Sequence, residues 1–424
     1  MNLHRKPIPV GEAIQRVMNV PSSTKIEKIP LEQADERILA QEVAATHAIP
    51  PFDKSPYDGF AIKAEDTAHA TKEDPMTFRV TEEIGAGHRA SKPLQSGEAV
   101  RIMTGAEIPE GATCVAMFEI CHTHEQDGQS YMTIKREMQP DQNIIKKASE
   151  TKEGTPLVSS GTAVNPGVKA LLATFGYSEV EVYKKPVVGV FATGTELLDI
   201  DQPLEPGKIR NSNAYMVLSQ VNRSGAEAKY FGKLADDFDT CYKAITEALQ
   251  KVDVLITTGG VSVGDYDLMP LIYEKLGAEV LFNKIGMRPG SVTTVAHANG
   301  QLLFGLSGNP SACYVGFELY TYPYLQKMLD RKNPYHPVID AALGTDFGKP
   351  NPFTRFIRGY ISYEEGKVVV YPAGMDKSAV VTSLAKTNVL IVLKGGTRGY
   401  QKGEGVQAIL LEDETGSEEF LLEG

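Results

Sequence analysis

Residues 251–277 read KVDVLITTGGVSVGDYDLMPLIYEKLG, a near-continuous apolar run, a glycine-rich turn and then an apolar pattern at helical spacing. A strand buried on both faces looks like VDVLITT, because a parallel sheet covered by helices leaves no polar face. The same alternation continues on either side. Strand PVVGVFATG precedes helix SNAYMVLSQVNRSG, strand EAKYFGKL and helix DFDTCYKAITEALQ; strands EVLFNKI, SVTTVAH and QLLFGLSG then lead into helix PSACYVGFELYTY. Cys241, Ile245, Ala248 and Leu249 recur at i, i+4, i+7 and i+8, the stripe of a helix lying on a sheet. Residues 183–330 are therefore expected to form a mostly parallel α/β sheet.

Ligands of open α/β sheets bind beyond the carboxyl ends of the strands. Here those ends carry ATGTE (192–196), LADD (234–237), TTGGVSVGDYD (257–267) and SGNPS (307–311). Within the third, Gly260-Val261-Ser262-Val263-Gly264 fits the G-x-S-x-G pattern of a nucleophile elbow, so Ser262 is either a nucleophile or part of a cradle for an anion. An elbow turns from strand through serine directly into helix, whereas this helix starts near Asp267. Nothing in the sequence sets His297 or His336 beside Ser262. Gly194, Gly259, Gly260, Gly264 and Gly308 allow close backbone approach, and helix amino termini add partial positive charge. No P-loop lysine is present.

Carboxylates gather at the same edge: Glu196, Asp236, Asp237, Asp265 and Asp267. Acids beside a phosphate-binding turn repel the ligand unless a cation intervenes, so the set predicts Mg²⁺ and a phosphorylated substrate. The competing reading makes Asp236 and Asp267 helix N-caps. Lys284 and Arg288, in KIGMRPGS, would bring fixed positive charge to the anion.

The remaining chain has a different texture. The pattern predicts a discontinuous helical and linking domain from 1–45 with 141–182, a small β domain at 46–140, the α/β domain at 183–330 and a C-terminal β-barrel-like domain at 335–424. LEQADERILAQEVAA (31–45) is expected to be helical. The fold class is thus α/β plus all-β, with a central sheet domain, flanking β domains and a helical segment. With 424 residues the chain exceeds the roughly 100–200 residues of one domain. Its 42% hydrophobic and 23% charged content is that of a globular protein, and a net charge of −11 disfavours nucleic acid. The four cysteines lack C-x-x-C spacing, and Cys121-His122-Thr123-His124 reads as a hairpin end before a zinc site. The amino terminus has no signal-peptide core and no run reaches the about 18 apolar residues of a span, so a cytoplasmic, membrane-free protein is expected.

TTGGVSVGDYD and GLSGNPSA resemble the domain shared by molybdopterin adenylyltransferases and molybdenumtransferases. PPFDKSPYDGFAI (50–62), RIMTGAEIPEGAT (101–113), ATGTEL (192–197) and SAVVTSLAKTNVLIVL (378–393) narrow the resemblance to the molybdopterin molybdenumtransferases, the MoeA and gephyrin E-domain family. That resemblance implies a homodimer with an active site shared between subunits, and a reaction in which adenylylated molybdopterin and molybdate give molybdenum cofactor and AMP with Mg²⁺. It implies that Asp58 and Thr104 reach the site from the partner subunit, with Asp58, Asp236 and Asp267 catalytic and with Asp236 and Asp267 as metal ligands. Asp236 is preferred over Asp237. Glu196, Gly259, Gly260, Ser262, Lys284, Arg288, Ser291 and Asn309 would line the substrate site, and Arg358 and Ser383 would lie near the oxyanion. A molybdopterin adenylyltransferase is an expected protein partner.

Two departures from the family pattern stand out. Arg288-Pro289-Gly290-Ser291-Val292 replaces the usual Lys-Pro-Gly-Lys-Pro, so Ser291 takes the place of a lysine, and Ser307 replaces the first proline of Gly-Leu-Pro-Gly-Asn-Pro. The lost cation predicts weaker oxyanion binding. The alternatives are an adenylyltransferase-like enzyme, a non-catalytic scaffold, or a paralogue with altered oxyanion preference such as tungstate.

Overall fold

The computed structural model describes residues 6–234, 237–260, 268–350 and 352–411. By its contacts the chain divides into two compact units, one formed by Gln41–Ser160 with Asn165–Glu179, the other by Met1–Ala40, Gly161–Val164 and Val180–Gly424.

The first unit is built on a six-stranded mixed sheet. Its strands are β1 (Gly59–Ile62), β2 (Met76–Ile84), β3 (Glu98–Ile102), β4 (Cys114–Met117), β5 (Cys121–Gln126) and β6 (Gln129–Ile134), in the order β4-β1-β3-β2-β6-β5. Alternation places Phe60, Ile62, Phe78, Met132 and Ile134 in one core and Ala61, Val100, Ile102 and Val115 in another, so both faces are covered. The β5–β6 hairpin is the outer edge, and its His122 and His124 are exposed, as the solvated reading of CHTH requires. Helix Pro166–Thr174 completes the unit and is capped by Asn165, whose Oδ1 accepts the Val168 N–H at 2.9 Å.

The second unit holds the predicted α/β sheet. Strands β7 (Val187–Thr193), β8 (Glu227–Leu234), β9 (Val254–Thr258), β10 (Glu279–Phe282), β11 (Thr294–Ala298) and β12 (Gln301–Leu306) lie in the order β8-β7-β9-β12-β11-β10. The pairs β8–β7, β7–β9 and β9–β12 are parallel, and β11 runs antiparallel to both its neighbours. Helix Phe238–Leu249 buries Cys241, Ile245 and Ala248, with Met269 and Ile272 of helix Met269–Lys275, on one face. The opposite face takes helices Asn213–Arg223, Pro310–Gly316 and Tyr322–Met328, the last two joined through a π-helical turn, Phe317–Thr321. Each fully buried Phe or Leu in these layers contributes about 1.5–3 kcal/mol.

Helix Val10–Asn19 also belongs here, sinking Ala13 and Val17 into the same core as Phe282 and Tyr324. The helix expected over 31–45 is not formed. Leu31–Gln33 is a single 3-10 turn, Glu36 has φ +60°, and Val43–Ala44 is a short strand. Long-range backbone bonds replace the helical ones: Leu39 N–H donates to Thr162 O at 2.9 Å, Gly161 N–H to Leu39 O at 2.8 Å and Ala40 N–H to Glu181 O at 2.9 Å. Tertiary pairing has outweighed a weak local propensity.

The C-terminal strands are β13 (Val338–Leu343), β14 (Thr354–Glu364), β15 (Lys367–Pro372), β16 (Val389–Leu393) and β17 (Gly405–Leu410). They pair as β14-β15-β13-β17-β16, and β16 pairs again with β14, closing a five-stranded barrel. Its core contains Leu343, Ile357, Val370, Ile391 and Ala408. A short strand, Met287–Arg288, leaves the α/β domain and pairs in parallel with Thr354–Arg355, which brings the barrel's first long strand beside the KIGMRPGS turn.

One polar group is fully enclosed behind helix 310–328. Glu318 has a side chain 0% exposed and pairs with Arg223, with the Gln220 amide nitrogen at 2.6 Å and with His336 Nε2 at 2.8 Å. The His336 ring stacks on Tyr322 with centroids 3.7 Å apart. A buried carboxylate demands such satisfaction. Among the described residues no helix is long and apolar enough to cross a membrane.

Candidate functional site

Strands β7, β9 and β12 end side by side at Thr193, Thr258 and Leu306, and the turns that follow wall a cavity of about 1120 Å³. The glycines there are explained by packing. Gly259 and Gly260 have φ +87° and +63°, and a Cβ on them would stand 2.6 Å from Thr193 O and 2.7 Å from Thr193 Oγ1. Only glycine lets the chain leave β9 this close to the end of β7. The Gly259 N–H meanwhile donates to Leu306 O at 2.9 Å, tying the turn to β12.

Six of the residues expected to line the substrate site meet at this cavity, Glu196, Gly259, Gly260, Arg288, Ser291 and Asn309, together with Gly194 and Gly308 of the neighbouring turns. Glu196 and Arg288 are exposed, and neither carboxylate nor guanidinium has a partner among the described residues. Lys284 does not line the cavity. Its carbonyl accepts the Ile8 N–H at 3.1 Å, fixing the amino terminus to the turn. Ser262, Asp236 and Asp267 lie outside the described residues. Asp237 is described, and its Oδ1 accepts the Thr240 hydroxyl at 2.5 Å and the Thr240 N–H at 2.9 Å, a helix N-cap. Those two bonds, the side-chain one first, hold the Asp237 carboxyl below its ordinary range.

Arg358 and Ser383 are both 2% exposed, and neither lines the cavity. The Arg358 guanidinium reaches Asp376 Oδ1 at 3.1 Å and the carbonyls of Met375 and Lys377 at 3.4 and 3.3 Å. Among the described residues its Nε and the Ser383 hydroxyl have no partner, and each is a donor that a small anion would satisfy. Burial pulls the Arg358 pKa down, and Asp376 opposes that shift.

Asp58 and Thr104 lie in the first unit, where the structure joins them. Asp58 Oδ1 accepts the Thr104 N–H at 2.7 Å and its hydroxyl at 2.8 Å, one residue before β1 and two after β3. The backbone bond, then the hydroxyl, lowers the Asp58 pKa.

Sequence reasoning missed Asn213 and the Asp376–Ser378 loop, all of which line the cavity. The Asn213 amide nitrogen donates to Gly308 O at 2.8 Å, which holds the SGNPS turn; the side chain's Oδ1 is buried without a partner. Asn213 had been read only as the start of a helix. A run of charged and hydroxyl residues in a barrel turn, MDKS, was the available signal for the loop. Among the described residues no three His, Cys, Asp or Glu side chains come together as a ready metal cage.

Three family models match in chain order: the MoeA N-terminal region (domains I and II) over 8–176, a molybdopterin-binding domain over 189–327, and the MoeA C-terminal region (domain IV) over 340–411. The chain is 55% identical to a molybdopterin molybdenumtransferase of Bacillus subtilis over 98% of its own length and 96% of the relative's. It is 48% identical to one of Staphylococcus aureus, covering 99% of both. Two structures of the molybdopterin biosynthesis MoeA protein of Pyrococcus horikoshii match with TM-scores of 0.85 and 0.79 at 29% and 30% identity, covering 96% of this chain and 100% of theirs. The chain therefore belongs to the MoeA family of molybdopterin molybdenumtransferases, enzymes of molybdenum cofactor biosynthesis.

Proposed function

We propose that the protein inserts molybdenum from molybdate into adenylylated molybdopterin and releases AMP. The observation that carries this reading is one cavity in which the Arg288 guanidinium and the Glu196 carboxylate, neither with a partner among the described residues, share a glycine-rich wall at the sheet edge. Arg288, Ser291 and the Asn309 turn would hold the anionic groups through charge-assisted and backbone bonds. Arg358 Nε and Ser383 Oγ, buried and without partners among the described residues, suit the oxyanion.

Glu196 fits Mg²⁺, since a hard cation takes carboxylate oxygens and phosphate oxygens together. Asp236 and Asp267 would supply the other carboxylates. When bound, Mg²⁺ would neutralise charge on the phosphate bridge as the phosphoanhydride to AMP is broken. Glu196 orients that bridge, and Arg288 offsets charge developing on the departing phosphate. In the homodimer we propose, the pair formed by Asp58 and Thr104 would come from the partner chain. The compartment would be the cytoplasm, with an adenylyltransferase supplying the substrate.

The test supplies adenylylated molybdopterin, Mg²⁺ and molybdate and follows AMP release and cofactor formation. Folded protein without molybdate-dependent AMP release would overturn the proposal. Asp267→Asn is expected to abolish turnover without unfolding the chain, and full activity in that variant would reject the metal assignment.

A further inference from the structure

Ser291 leaves the KIGMRPGS turn one cation short, yet a second cation lines the same cavity from another part of the chain. Lys377 lies in the turn between β15 and β16, is exposed, and its ammonium has no partner among the described residues. We propose that Lys377 and Arg288 together bind the doubly charged oxyanion group of the substrate. The proposal rests on the reading of this cavity as an oxyanion-handling site.

The turn is held in place by several bonds. Arg358, inside the barrel wall, donates to the carbonyls of Met375 and Lys377 and pairs with the Asp376 carboxylate between them. Arg355 takes the other Asp376 oxygen at 2.5 Å. On the far side, Ser311 at the start of helix Pro310–Gly316 donates its N–H to Ser378 O at 3.0 Å and its hydroxyl to Val380 O at 2.5 Å. Residues before and after Lys377 are therefore fixed to the barrel and to the sheet-edge helix, and the lysine lines the same cavity as Arg288. Arg355 itself lines the cavity, but its charge is matched by Asp376. Lys377 and Arg288 are the exposed cavity-lining cations whose side chains make no bond among the described residues. A charge delivered from the barrel turn replaces one absent from the Arg288 turn, because the field at the anion depends on where the charge sits, not on which segment carries it.

A doubly charged oxyanion here is either molybdate or the phosphate bridge, and the test separates them. Binding of inorganic molybdate and of inorganic pyrophosphate is measured calorimetrically on the full chain without pterin substrate. Lys377→Met is expected to weaken one or both by about tenfold or more, the effect of losing one charge-assisted bond. Lys377→Arg should retain binding, and Ser291→Lys added to Lys377→Met should restore it. Weakened molybdate alone identifies the oxyanion substrate; weakened pyrophosphate alone identifies the bridge. Wild-type affinity for both in Lys377→Met, or no binding of either by the wild-type chain, overturns the proposal. Because these measurements need no turnover, loss of oxyanion binding in Lys377→Met stands even if AMP release fails, and the two readings fail separately.

Discussion

Arg288 and Lys377 face the cavity exposed and without partners among the described residues, whereas Arg355 and Arg358, on the adjoining barrel strand, are buried and share the carboxylate of Asp376. Glu318 repeats the second pattern on the far side of helix 310–328, enclosed by Arg223, His336 and Gln220. The difference is one of solvation. A buried charge is tolerable only when its partners replace water, so its interactions hold the structure together; an exposed charge keeps its water until a ligand displaces it. The first kind should govern stability and the second binding.

Arg358→Leu tests that division most severely. It leaves Asp376 with one guanidinium and strips the donors from Met375 and Lys377 O, at an expected cost of about 3–5 kcal/mol in urea unfolding. A loss below about 1 kcal/mol would place Arg358 among the merely exposed charges.

Glu318→Gln should cost somewhat less, about 2–3 kcal/mol, because Arg223 retains access to solvent. Its pH signature is distinct. Burial alone would raise the Glu318 pKa, but hydrogen bonding from His336, the charge of Arg223 and the Gln220 amide outweigh it and hold the carboxyl below its ordinary value of 4.5. A depressed folded pKa contributes stability that is complete above 4.5 and is lost as pH falls from there through the folded value. Glu318→Gln should remove that part of the acid sensitivity, measurable as a flatter stability profile below pH 4.5. An unchanged profile would assign it to other carboxylates.

Arg288→Met should behave oppositely to both. Stability is expected to stay within about 0.5 kcal/mol of wild type. Molybdate or pyrophosphate binding should fall about tenfold. A variant that is clearly destabilised while binding normally would erase the distinction.

The smallest expected effect belongs to the first unit. Thr104→Val removes one of two bonds to Asp58 but keeps the backbone N–H, the larger contributor, so the Asp58 pKa should rise only partway to its ordinary 3.8 in an NMR titration. No movement would mean that the hydroxyl does nothing for this carboxylate.

The sheet was legible because its pattern is local. Apolar strands such as VLITT and the Cys241, Ile245, Ala248 stripe repeat at the periods that strands and helices impose. The turn glycines were legible for the same reason, although their cause proved to be the approach of Thr193. The stretch 31–45 misled because it carries helical spacing while its backbone bonds go to Thr162 and Glu181, partners far away in sequence.

For the candidate site, the sequence by itself determined the sheet-edge residues: Glu196, Gly259, Gly260, Arg288, Ser291 and Asn309 follow strands whose ends must lie together. It also paired the chemistry of Asp58 with Thr104 through family motifs. Only the tertiary structure decided that Lys377 joins Arg288, that Arg358 turns its charge inward to the loop, and that Asn213 holds the Gly308 turn. The reason is physical: periodicity records which face of an element is buried, but a charge acquires its role from what surrounds it, and those surroundings come from segments up to a hundred residues away.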